Sequence, residues 1–132
     1  MSQPLPRPTD GELAILRVLW ERGPSTVRQI HEVLSGEKDL GYTSVLKLLQ
    51  VMTEKGLVTR DERERSHVYQ VAQSEERTQA HLVRDLLDRA FGGSATKLVI
   101  QALSSRKTSR EELDLIRQLL DNVSNGPGKG EA

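Results

Sequence analysis

Apolar residues recur along this chain at a helical period, interrupted at glycines and by one stretch of strict alternation. The clearest case runs from Gly41 to Val58. At about 100° per residue, Val45, Leu48, Leu49 and Met52 share one face, and Thr43, Lys47, Gln50 and Glu54 cluster on the opposite one. This predicts an amphipathic helix, ended by a late cation at Lys55 and a glycine at Gly56 that is free to take positive φ. Leu57-Val58-Thr59 then leads into a hairpin, and His67 to Val71 returns with period two around a charged tip from Arg60 to Ser66. A polar-faced helix that runs into a two-stranded ribbon is how a winged helix-turn-helix meets a DNA groove. An ordinary surface helix followed by a solvated hairpin tip fits the same stretch when it is taken alone.

The flanking segments give it a context. Residues 1–8 carry Pro4, Pro6 and Pro8 and are expected to form a flexible arm. Thr9 and Glu12 have capping-box spacing and open a first helix to about Arg22, with Leu13, Leu16 and Trp20 on one face and Ile15 and Leu19 on another. Gly23-Pro24 stops it. Ser25 is the expected N-cap of a second helix carrying Val27, Ile30 and Leu34, which ends near Ser35-Gly36. After the hairpin, Ser74 caps a long helix to about Phe91, with Val83, Leu87 and Phe91 in its apolar stripe. Gly92-Gly93 breaks it. Ser94 opens a short helix holding Leu98, Val99, Ile100, Ala102 and Leu103, and Ser109 with Glu112 opens a last one with Leu113, Ile116, Leu120 and Val123 in a row. These three helices carry more apolar surface than they can cover singly. Either they close into a three-helix bundle within one chain, or they associate with a second copy. Residues 124–132 are expected to be a disordered tail.

Composition narrows the function. At 36% hydrophobic and 3% aromatic residues, the core must be aliphatic, and the absence of cysteine excludes disulfides, thiolate metal sites and cysteine nucleophiles. The proline-rich N-terminus lacks the apolar core of a signal peptide, and no apolar run approaches the roughly 20 residues needed to span a bilayer, so a cytoplasmic, non-inserted protein is expected. The 19 basic and 19 acidic residues cancel, with ten of each sign in residues 1–73. Any DNA site must therefore come from local placement of charge. His31, His67 and His81 are scattered and no catalytic or metal-binding motif appears, so neither an enzyme nor a cofactor is expected.

The segments TDGELAILRVLWERG, STVRQIHEVL, GYTSVLKLLQVMTEKGLV, RSHVYQV and FGGSATKLV, in that order, resemble the BlaI/MecI/CopY family of bacterial penicillinase repressors. The resemblance spans roughly Thr9 to Asn122. It implies a mostly α fold with a small β-wing: a winged helix-turn-helix DNA-binding domain over 9–73 and a helical dimerisation domain over 74–123. It implies a homodimer on a palindromic double-stranded DNA operator, released by a membrane sensor protease that cleaves in the fifth helix. The DNA-binding residues would be Ser25, Thr26 and Arg28 at phosphates, then Tyr42, Thr43, Ser44, Lys47, Gln50 and Lys55 on or beside the recognition helix, with Arg60, Arg63, Arg65 and His67 in the wing. The dimer would use Val83, Leu87, Phe91, Leu98, Val99, Ala102, Leu103, Leu113, Ile116 and Leu120.

The chain departs from the family pattern in three places. Val51-Met52 stands where an Arg-Leu pair is common, and Glu54 replaces a basic residue. The cysteine pair of copper-responsive members is absent. Leu98 to Leu103 lacks the Asn-Phe junction cleaved in lactam-responsive members. A winged-helix module for protein–protein contact, or a regulator released without proteolysis, is the competing reading.

Overall fold

The computed structural model of the chain describes residues 7–37 and 40–125. The elements run α1 (Asp10–Arg22), β1 (Ser25–Thr26), α2 (Val27–Glu37), α3 (Tyr42–Lys55), β2 (Val58–Asp61), β3 (Val68–Val71), α4 (Glu75–Ala90), α5 (Ala95–Ser104) and α6 (Arg110–Asn125). The fold is mostly α with a small antiparallel sheet of order β1-β3-β2.

The first turn of α1 is set by a reciprocal cap. Thr9 Oγ1 accepts from the Glu12 N–H at 3.3 Å, and Glu12 Oε1 accepts from the Thr9 N–H at 3.0 Å. The expected cap of the second helix is shifted by one residue. Thr26 carries it, accepting from the Gln29 N–H at 3.2 Å while the Gln29 side chain accepts from the Thr26 N–H at 2.9 Å. Ser25 is pulled into β1 instead, pairing with Tyr69, and its buried hydroxyl donates to the Gly23 carbonyl at 2.9 Å. Helix α2 also continues through Gly36 to Glu37, past the expected stop.

Helix α3 matches its predicted span and ends on Gly56 at φ 84°, a left-handed position where a Cβ would be strained. The chain leaves it directly for the hairpin, whose register pairs Val58 with Val71, Arg60 with Tyr69 and Asp61 with Val68. Arg60 and Asp61 are therefore strand residues and not part of the tip. Cross-strand pairing extends the ladder beyond the apolar residues that marked it in the sequence.

The core lies where α1, α2 and α3 meet the sheet. Ile15, Ile30, Val45, Leu49 and Met52 are fully buried, with Leu16, Leu19, Leu34, Val58 and Tyr69 beside them. Burying each of these large side chains is worth about 1.5–3 kcal/mol. Leu49→Ala, at the centre of the α3 stripe, would cost roughly 2–5 kcal/mol. This packing turns the opposite side of α3 to solvent.

The chain divides into two compact units, one ending at Asp85 and one beginning at Leu86. In the first, Arg7 Nη1 donates to Asp85 at 3.0 Å; the remainder of the expected arm, residues 1–6, lies outside the described residues. In the second, Ser94 and Ser109 cap α5 and α6 by accepting from Lys97 N–H and Glu112 N–H. Helix α6 carries through Ser124 and Asn125, so the expected tail is helical in its first two residues; the rest of it lies outside the described residues. None of the described residues of this unit is buried, although Leu87, Phe91, Leu98, Leu113 and Ile116 are half-buried.

Candidate nucleic-acid interface

The polar face of α3 is bare. Tyr42, Thr43, Ser44, Lys47 and Gln50 are all exposed, because the core anchors Val45, Leu49 and Met52 fix the helix's rotation. Lys47 has no partner among the described residues and is free to meet an acceptor. Val51, one turn after Lys47, is 38% exposed on the same side. It was legible only as a missing arginine in the sequence; on the structure it is an apolar spot in a polar surface.

An open cleft of about 320 Å³ runs beside this face, where α2, α3 and the hairpin come together. Thr26 and Arg28 enter it from the start of α2, Tyr42 and Leu46 from α3, and Arg65, Ser66 and His67 from the hairpin. Five residues expected from the sequence are thus collected in one concavity. Leu46 and Ser66 were not expected. Leu46 sits one position off the core stripe and forms part of the lining, and Ser66 is carried in between Arg65 and His67. Tyr42 is held edge-on to His31 of α2, with ring centroids 5.8 Å apart and planes at 78°.

Four expected contact residues are engaged elsewhere. Ser25 is buried, as described above. Lys55 donates from Nζ to Glu12 Oε1 at 2.8 Å and Oε2 at 3.1 Å, so its charge is spent on a buried carboxylate of α1. Burial works to raise the Glu12 carboxyl, but hydrogen bonds from Lys55 and Thr9 outweigh it and its pKa lies below the ordinary value. Arg60 interacts with the Tyr69 phenol across the ladder and pairs with Glu62 at 2.6 Å, and both raise its pKa.

Arg63 is also paired. Asp61 accepts from its Nη2 at 2.6 Å, from its Nε at 3.0 and 3.1 Å, and from its backbone N–H at 3.0 Å. The hydrogen bonds from Arg63 hold the Asp61 carboxyl at a pKa of about 2. Arg28 and Arg65 make no ion pair among the described residues, so with Lys47 they are this face's unpaired cations. The surface thus offers exposed hydroxyl, amide and cationic hydrogen-bond donors. Among the described residues no group of histidine, aspartate and glutamate could hold a metal.

The apolar side chains expected to join two copies divide into two sets. Leu87, Phe91, Leu98, Leu113 and Ile116 are half-buried, whereas Val83, Val99, Ala102, Leu103 and Leu120 are exposed. Leu86, Ile100, Leu115, Leu119 and Val123 add exposed apolar surface beyond that set.

Comparison with known proteins points the same way. A model of the penicillinase repressor family matches residues 8–122. The chain is 34% identical over 125 residues to the transcriptional regulator BlaI of Mycobacterium tuberculosis, covering 94% of this chain and 90% of that protein. It is 22% identical over 121 residues to the penicillinase repressor of Bacillus licheniformis, covering 92% and 94%. Among solved structures, the DNA-binding domain of the repressor BlaI aligns with a TM-score of 0.50 at 21% identity, over 57% of this chain and 90% of that one.

Proposed function

Because the chain belongs to the penicillinase repressor family, we propose that it represses transcription as a homodimer bound to a palindromic DNA operator. The family is one of transcriptional repressors and not of enzymes. We assign residues 9–73 to DNA binding and 74–123 to dimerisation. The observation that carries the reading is the bare face of α3, set beside a cleft that gathers Thr26, Arg28, Tyr42, Arg65 and His67.

In this reading α3 lies in the major groove. Lys47 donates to guanine or phosphate, Gln50 takes an adenine edge, and Val51 offers methyl surface to thymine. Thr43 and Ser44 supply hydroxyls to backbone or base. Thr26 and Arg28 meet phosphate at the start of α2, where the helix dipole favours an anion. Arg65 and His67 hold the flank from the wing. The two-fold axis comes from the second unit, whose exposed apolar side chains are what a second copy would cover.

Release would act on that same unit. Cleavage in α5 by a membrane sensor protease is one route, and an effector that separates the two copies without cleavage is the other; the Leu98–Leu103 segment favours the second, since it lacks the Asn-Phe junction. Use of the fold for protein contact instead is favoured by the neutral net charge. Selection of duplexes from a random-sequence library by the purified full chain decides between these uses. Enrichment of an inverted repeat supports the repressor reading, and no enrichment at low salt rejects it.

A further inference from the structure

The wing presents its arginines in unequal states. Arg65 is unpaired and reaches the cleft, whereas Arg63 is forked onto Asp61 although its side chain is 87% exposed. The fork has the side-on geometry in which a guanidinium takes a phosphate, with Nη2 and Nε each reaching a carboxylate oxygen. Asp61 thus stands where a phosphate oxygen pair would stand. It is also the better anchored partner: it ends β2, pairs with Val68 in the ladder, and accepts the Arg63 backbone N–H at 3.0 Å. That last bond shapes the turn at the start of the tip, so Asp61 has two separable roles, one as a turn former and one as a counter-charge.

We propose that Asp61 is an affinity-setting residue of the wing, competing with DNA phosphate for Arg63. The inference rests on the DNA-binding reading above. In the free protein Asp61 neutralises Arg63, so engagement of DNA exchanges a carboxylate for a phosphate and gains less than a free arginine would give. An exposed ion pair is weak enough for such an exchange to proceed. The acid also lowers the number of counterions released on binding, which flattens the salt dependence.

Asn is the informative substitution. Asp61→Asn keeps Oδ1 for the Arg63 backbone N–H and Nε, and so keeps the turn, but removes the counter-charge and turns a donor toward Nη2, which breaks the fork. Asp61→Ser keeps a turn-capping hydroxyl and serves as a second variant with the same charge change. The probe is a labelled duplex enriched by the wild-type full chain from a random library, read by fluorescence anisotropy across a salt series. Both variants are expected to bind about threefold to tenfold more tightly at low salt, with a log–log salt slope steeper by about one. Adding Arg63→Ala to Asp61→Asn is expected to abolish the gain. Unchanged midpoints and slopes in both folded variants, or a gain that survives Arg63→Ala, overturn the proposal. A wild-type chain that enriches no duplex overturns the DNA-binding reading itself, and a wild type that binds while the variants show no gain overturns this inference alone.

Discussion

Lys55, the last residue of α3, donates to both carboxylate oxygens of Glu12, near the start of α1, across 43 positions of sequence. Glu12 also closes the α1 capping box through Thr9, so one buried carboxylate fixes the first turn of α1 and the end of α3 together. The bare face of α3 is aimed partly by this tie.

Removing one partner leaves a buried charge without compensation. Lys55→Met is expected to lower stability by about 2 kcal/mol, discounted because the lysine end is partly exposed. Urea unfolding measures it. An unchanged midpoint would mean that the pair is incidental and that Lys55 is available to DNA after all.

The same pair gives a pH dependence. Because the Glu12 pKa is lowered on folding, its contribution is fully present above the ordinary carboxylate value of 4.5 and is lost as pH falls through the folded value. Glu12→Gln should therefore show a flatter stability profile than the parent below about pH 4.5, and less stability above it. Parallel profiles for the two proteins across that range would contradict the assignment.

Ser25 and Thr26 are neighbours with different tasks. Ser25→Ala should cost about 1 kcal/mol of stability through the lost bond to Gly23, leaving DNA affinity unchanged. Thr26→Ala should cost about 1 kcal/mol through the lost cap and also weaken DNA binding, since Thr26 borders the cleft. Thermal unfolding and gel shift on both variants separate the two. Equal DNA effects would reject the distinction.

Lys47→Ala should weaken binding to a selected duplex by about 1–3 kcal/mol if the lysine reads a base. The gel-shift midpoint is the readout. A midpoint equal to wild type would remove Lys47 from the interface and move the readout to Thr43, Ser44 and Gln50.

The rotation of α3 was legible in the sequence because its apolar period leaves one consistent core direction, and burial of Val45, Leu49 and Met52 follows it. The Thr26 cap was legible too, since Thr26-Val27-Arg28-Gln29 has capping-box spacing, but Ser25 has the same cap propensity and stands first. Tertiary pairing of Ser25 with Tyr69 decided between them, and a two-residue strand has no period to announce it. The Lys55–Glu12 tie joins residues too distant in sequence for any local pattern to reveal. In the wing, opposite charges two residues apart pair, Arg60 with Glu62 and Asp61 with Arg63, so the interleaved charges neutralise one another.

The second unit carries its own expectation. Leu119→Glu and Leu120→Glu, at positions 54% and 61% exposed, should leave each chain folded but convert a dimer to a monomer. Sedimentation velocity at micromolar concentration checks this. A wild type already monomeric there would reject the two-copy account.

Two copies that present their α3 helices to one duplex require a fixed spacing between half-sites, and a half-turn insertion breaks it. Adding about five base pairs between the half-sites of a selected duplex rotates one half-site to the opposite side of the helix. The gel-shift midpoint is expected to weaken at least about tenfold, since one recognition helix loses its groove. A midpoint unchanged by the insertion would contradict the two-copy arrangement.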